Sequence, residues 1–432
     1  MIGNVTRSFI ACIALTTTAV ADDWPQWRGI NRDGRINEPG LMTSLPEGHL
    51  PRKWTVKIGA GYSGPTVADG RVFVTDRGLD DEDGEIERVL CFNAETGEEI
   101  WKHTYPAVYG DIGYRAGPRA SVTIHGDLAI SVGAAGQLIC FDASDGKIKW
   151  QHGLRDEYAV RMPIWGITAA PLVYDDLVIQ VVAGAGDACV VAFDLATGKE
   201  RWRSIDEPAG YSSPILIQQA NQDVAVVWTG ASISGLDPKS GKVHWRVEMR
   251  SRNMPIGVPT PVVADDRLFV SSFYDGSMLI RFSKDELTAA KVWHRVGIDE
   301  INTDALHCMI SNPLIKGEFI YGADSYGQLR CLDIETGDRI WEDTTAVPKA
   351  RWATIHTIRD GDREIMQNDQ GELIFATLSP TGFQEHSRTK LLAPTRKQLP
   401  KRGGVTWSHP AIANGYIYAR NDNELMCASL VP

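Results

Sequence analysis

The stretch 91–101, CFNAETGEEIW, decides the fold, because it returns with one spacing at 140–150 (CFDASDGKIKW), 192–202 (AFDLATGKERW), 235–245 (GLDPKSGKVHW) and 331–341 (CLDIETGDRIW). Each copy is a short apolar strand, an Asp or Asn, a glycine-centred turn and a second strand ending on Trp. Gly supplies the positive φ of the turn, and the Asp or Asn side chain bonds the turn amides. A degenerate copy ends at Trp293 after a two-residue insertion behind Phe282, and another runs from Ala376 through Thr381-Gly382 with His386 in the Trp position. Self-similarity at a fixed period marks a repeat architecture.

Ahead of each copy stands a Pro or small residue, an apolar strand, a tight polar turn and a β-rich run, as in GPTVADGRVFV (64–74), TPVVADDRLFV (260–270) and HPAIANGYIYA (409–419). Each unit therefore reads as four strands, A to D, and no stretch has convincing helical periodicity. Trp54, Trp101, Trp150, Trp202, Trp245, Trp293 and Trp341 are separated by 47, 49, 52, 43, 48 and 48 residues, the length of a four-stranded propeller blade. Residues 52–432 then make eight blades. Trp54 has no A, B and C strands before it, and the last unit, 410–429, has no D strand after it. The prediction is an all-β, eight-bladed β-propeller of four-stranded antiparallel blades, closed by the N-terminal strand 52–58, which removes the open sheet edges. The seven tryptophans are structural wedges; burying one is worth roughly 4 to 6 kcal/mol as an upper bound.

The remaining composition narrows the function. A net charge of −11 removes the electrostatic footprint of nonspecific nucleic-acid binding. Residues 1–21 have the pattern of a signal peptide, with one cation, an apolar run at 9–15 and Ala19-Val20-Ala21 before Asp22. They predict export to a periplasm or beyond, a leader over 22–51 and a propeller over 52–432. No later segment is apolar over the ~20 residues that span a bilayer. Cys91, Cys140, Cys331 and Cys427 share one strand register, where Ala192 stands in VAFD, and read as buried free thiols; Cys189 and Cys308 lie off it, and their pairing stays open.

The pattern Ala-x-Asp-x-x-Thr-Gly-x-x-x-Trp around eight blades resembles the tryptophan-docking motif of pyrroloquinoline quinone (PQQ) type propellers. That superfamily includes the quinoprotein alcohol dehydrogenases and the noncatalytic propeller lipoprotein of the outer-membrane β-barrel assembly machinery. DWPQWRGINRDG at 23–34 is similar to the lead-in of secreted bacterial proteins with this propeller. For a quinoprotein dehydrogenase the resemblance implies a tricarboxylate cofactor over the channel, an adjacent Cys-Cys disulfide, a calcium ion and an Asp base. This sequence has no Cys-Cys pair, no haem Cys-x-x-Cys-His and no long roofing insertions, so no catalytic residue is carried over.

A ligand is expected where the D-to-A and B-to-C loops converge on the axis. The D-to-A loops supply Arg115, Arg119, Arg161, Trp165, Arg252, Arg351, Trp352 and Trp407 as candidate binding residues, with Tyr114, Tyr211, His356 and His409 beside them. Trp and Arg together suit recognition. The acidic run 80–85 has poor spacing for a calcium loop and reads as a solvated loop. The leading expectation is an exported, monomeric, nonenzymatic scaffold that binds protein or cell-envelope partners. The alternative is a quinoprotein dehydrogenase-like oxidoreductase with PQQ and Ca2+ at the channel mouth; hydrolase or carbohydrate-binding activity is third.

Overall fold

The computed structural model describes residues 22–78, 85–251 and 253–432. The signal-peptide reading of 1–21, most of the acidic run 80–85 and the candidate Arg252 lie outside the described residues.

Eight antiparallel sheets form the propeller, each with strands in the order A-B-C-D. Blade 1 contains Thr66–Ala68, Arg71–Arg77, Ile86–Asn93 and Glu99–Pro106. Blades 2 to 6 follow over 123–153, 172–204, 215–248, 262–295 and 314–343, and blade 7 over 355–390. Blade 8 takes Ala411–Ala413, Tyr416–Arg420 and Glu424–Ser429 from the C-terminus and closes with Arg52–Lys57, where Trp54 pairs with Cys427. The only helix among the described residues is the single turn Leu154–Glu157.

The docking tryptophans work by one contact. Each stands beside a β-bulge on strand D, and six of the seven pass their indole N–H to the next blade. Trp54, Trp101, Trp150, Trp202, Trp293 and Trp341 donate to the carbonyls of Ala94, Ala143, Leu195, Pro238, Ile334 and Ser379 at 2.8 to 3.1 Å. The indoles of Trp54, Trp101, Trp150, Trp202 and Trp293 also lie on the turn glycine of that blade. At Gly198, φ is +73° and a Cβ would stand 2.7 Å from the Trp150 ring, so conformation and space both require glycine. Asp194 Oδ1 accepts from the Thr197 amide at 2.9 Å, the turn-stabilising bond that its residue type implies.

Two interfaces depart from the repeat. Blade 5 carries the insertion behind Phe282, and Trp245 donates instead to Gln219 Oε1 of its own blade at 2.8 Å. The Gln219 amide then donates to the carbonyls of Glu286 and Thr288 on blade 5 at 3.0 and 2.8 Å, so one carboxamide bridges the gap. In blade 7 the bulge sets Phe375 opposite Ser387 and Ala376 opposite Glu385. Ser387, and not His386, therefore holds the Trp position: Phe375 and Ser387 are 12 residues apart in the chain, against 10 for Cys91 and Trp101, so the C-to-D hairpin of this blade is longer than the repeat's.

The leader replaces the missing wedge. Leu41, Leu45 and Leu50 join one core with Phe375, Ile358, Leu373 and the strands of blade 8, and Ser387 Oγ accepts from the Leu45 amide at 2.9 Å. Upstream, the leader enters the channel. Trp24 bridges Val67 on strand A of blade 1, the Ile124 amide of blade 2 donates to Pro25, and Trp27 Nε1 donates to Thr260 Oγ1 at 2.6 Å. Arg35–Ile36 then pairs in parallel with strand A of blade 7 as a fifth strand. The WPQW stretch is thus core-forming, with Trp24 only 2% exposed.

All six described cysteines are buried free thiols. Cys189 and Cys308 sit in separate hydrophobic clusters, and burial pushes both thiols up to about 12.

Candidate functional site

On the D-to-A loop face the channel opens into an aromatic cup with a cavity volume of about 130 Å³. All eight D-to-A segments contribute. Tyr62, Tyr114, Trp165, Tyr211, Trp352 and Trp407 supply the aromatic lining, Val258, Met309 and Ile310 complete the apolar side, and Arg119 is the single Arg or Lys among the described residues. Trp27, His356 and His409 line both the cup and a smaller void beneath it, so the leader and these imidazoles form the floor.

The rings hold one another. Trp165 lies 4.9 Å from Tyr211 at 34° and meets Tyr114 edge-on at 5.9 Å; Tyr114 meets Trp352 at 5.8 Å, and Trp352 meets Trp407 at 6.2 Å. Such offset and edge-to-face pairs add about 0.5 to 1.5 kcal/mol each beyond burial. Tyr114 and Trp352 have φ of +52° and +64°. For bulky side chains that conformation is strained by about 1 to 2 kcal/mol, and it persists only where surroundings enforce it.

Polar groups are few and uneven. The indole nitrogens of Trp352 and Trp407 are buried without a hydrogen-bond partner, although every docking indole has one. An unsatisfied buried donor costs about 1 to 3 kcal/mol. Arg119 lies over the Tyr62 ring at 4.9 Å and donates to the carbonyls of Gly113, Tyr114 and Gly117, with no ion-pair partner among the described residues. Among the described residues no carboxylate or carboxamide lines the cup.

Ser121 Oγ stands 2.9 Å from His409 Nε2 at the floor, the distance of a nucleophile and its base. The pair is unsuited to that work. Gly64 N–H already donates to Nε2, and burial together with His356 lowers the His409 pKa to about 3, so the imidazole is a poor proton acceptor at neutral pH. His356 is lowered to about 4 by burial and bonds the Trp407 carbonyl at 2.7 Å, a positioning contact for that indole.

Of the sequence candidates, Arg119, Trp165, Trp352 and Trp407 line the cup, as do Tyr114, Tyr211, His356 and His409. Arg351 stands behind it: its guanidinium stacks on Trp352 at 4.2 Å and forks onto Glu300 at 2.6 and 2.7 Å. Arg115 is exposed and bonds the carbonyls of Gly110 and Ile112 in its own loop, and exposed Arg161 lies outside the cup. Tyr62 and Trp27 are the residues that sequence reasoning missed. Tyr62 follows the closing strand in a segment too short to look like a loop site, and Trp27 belongs to the leader, whose placement no repeat dictates.

The residues do not fit PQQ with calcium. Among the described residues one guanidinium faces what would be three carboxylates, and no acidic or amide side chain lines the cup to hold the cation. Among the described residues no cluster of His, Cys, Asp or Glu has metal-binding geometry.

An eight-bladed propeller with tryptophan docking and an axial cup is the architecture of PQQ-type repeat proteins. Residues 52–220 and 308–431 match the family described as outer membrane protein assembly factor BamB, and the chain belongs to that family. Among solved structures, BamB from Moraxella catarrhalis is similar at 16% identity and a TM-score of 0.59, covering 88% of this chain and 97% of its own. Quinohemoprotein alcohol dehydrogenase from Comamonas testosteroni is similar at 14% identity and 0.66, covering 95% and 81%. The computationally designed Ika8 protein is similar at 10% identity and 0.55, covering 89% and 100%. These identities establish the shared fold alone. No curated protein matches the sequence.

Proposed function

We propose that the protein is an exported, nonenzymatic binding propeller whose aromatic cup receives an apolar group of a protein or cell-envelope partner. One observation carries the reading: two buried indole donors without acceptors, in a cup lined by seven Trp and Tyr side chains. Such a surface gains by burying an apolar group that also brings a hydrogen-bond acceptor. Family membership supports a scaffold role, since the family's description is of an assembly factor. The Ser121–His409 pair, with its depressed base, does not support hydrolysis.

The test places a photo-crosslinking residue at Arg161, on a loop beside the cup, and in a second protein at Lys149 on an outer strand. Expected is a discrete adduct from position 161 in cell envelopes, lost when Trp165 and Tyr211 are both changed to Ala. The same adducts from both positions, or adducts indifferent to the double substitution, reject the cup as the binding site.

A further inference from the structure

The leader fills only part of the channel on the A-to-B turn side. Between it and the A strands of blades 4 to 7 remains a cavity of about 280 Å³. Its wall is rich in guanidinium: Arg28, Arg32 and Arg35 from the leader and Arg359 from blade 7, against the two carboxylates Asp33 and Asp265.

Those acids are engaged by neighbouring arginines. Asp33 lies 3.7 Å from Arg35, and Asp265 lies 3.4 Å from Arg267, which is outside the lining. Arg32 is 4% exposed and donates to Gln26 Oε1 and to the carbonyls of Ala170, Pro171 and Pro214, with no carboxylate in ion-pair range. Arg28 is 7% exposed and donates to the carbonyls of Arg32 and Asp33. Arg359 donates through Nε to the Gly361 carbonyl at 3.0 Å, while its cross-strand neighbour Glu364 is bonded to Lys316 at 3.1 Å. Burial lowers the pKa of both guanidinium groups, to about 10 for Arg28, where Asp33 offsets part of the effect, and to about 9 for Arg32. Carbonyl dipoles offset part of the cost of burying these charges.

We propose that this cavity is an oxyanion site for a phosphate group, either inorganic phosphate or a phosphate monoester, with Arg359 and Arg35 as its direct ligands and buried Arg28 and Arg32 as the positive field behind them. The excess of two positive charges matches a dianion, and guanidinium forks suit its oxygens. The apolar remainder of the wall, including Ile215, Ile217, Val262 and Leu314, accommodates whatever carries the phosphate. The site is independent of the aromatic cup.

Isothermal titration of residues 22–432 with inorganic phosphate at low ionic strength tests it. Expected is one site of submillimolar affinity, weakened about tenfold or more in Arg359→Gln and Arg35→Gln, whose melting temperatures in phosphate-free buffer match the parent. Trp407→Ala binds phosphate like the parent, which separates this site from the cup. Vesicles of phosphatidic acid against phosphatidylcholine distinguish the source: sedimentation with the former, competed by free phosphate, points to a lipid headgroup, whereas titration without sedimentation points to a soluble phosphate. No protection of the fold against thermal unfolding and no heat at about 10 mM phosphate, at least tenfold above the expected affinity, or undiminished affinity in both glutamine variants, overturns the proposal.

Discussion

Gln219 shows how a single side chain carries an interface that the repeat leaves open. Its carboxamide accepts from Trp245 and donates twice to blade 5, so Gln219→Leu strands an indole N–H and two carbonyls at once. The expected loss is about 2 to 4 kcal/mol by urea unfolding, well above a surface substitution. A loss below about 0.5 kcal/mol would mean that solvent replaces the bridge. The buried imidazoles set a pH dependence. The unfolded chain protonates His356 and His409 below about pH 6.5, whereas the folded chain keeps them neutral to about 4 and about 3. The unfolded state binds more protons in that window, so stability present above pH 6.5 is lost as pH falls. The loss from His356 by pH 4.5 is about 2 kcal/mol. Glu87 and Glu364, raised by burial, act in the opposite sense and soften the decline. Urea midpoints at pH 6.5 and 4.5 check this: His356→Gln keeps a donor for the Trp407 carbonyl and should decline less than the parent. An equal decline would assign the acid sensitivity to other groups.

At the scale of the element, the leader is part of the propeller core. It supplies leucines where Ser387 leaves the blade 7 interface without a wedge, a fifth strand for blade 7 and the floor of the cup. Removing residues 22–50 while keeping the closing strand should lower the melting temperature by on the order of 10 °C and expose apolar surface to a hydrophobic dye. An unchanged melt would show that the blades close without it. The two aromatic residues of WPQW signal burial in the sequence, but where they are buried depends on strands more than 200 residues away, as the Trp27–Thr260 bond shows.

For the whole molecule, pairing of Arg52–Lys57 with Glu424–Ser429 closes blade 8 with no disulfide among the described cysteines, and Arg420 adds a buried latch across the seam through the carbonyls of Thr75 and Gly59. The cup is assembled from eight loops, so its chemistry belongs to the closed ring. With one guanidinium and no carboxylate among the described residues that line it, equilibrium dialysis against PQQ, with and without calcium, should show no stoichiometric calcium-dependent binding at ~100 μM, the level at which a preformed site would saturate. Tight, calcium-dependent uptake would return the quinoprotein reading.

The repeat itself, read as CFNAETGEEIW and its copies, determined the blade number, the strand order and the docking tryptophans, because each follows from contacts within or between neighbouring repeats, and it determined the closing strand because a D strand without its blade at one end of the repeat array matches a blade without its D strand at the other. Four of the eight sequence-named loop residues line the cup, since Trp and Arg in long D-to-A loops signal recognition wherever they point. Tertiary structure alone decided which of them face the axis, that Ser387 rather than His386 stands at the last wedge, and that the leader plugs the channel and leaves an arginine-lined cavity. These depend on a bulge register and on contacts between segments without periodicity, and no local pattern encodes where such segments come to rest.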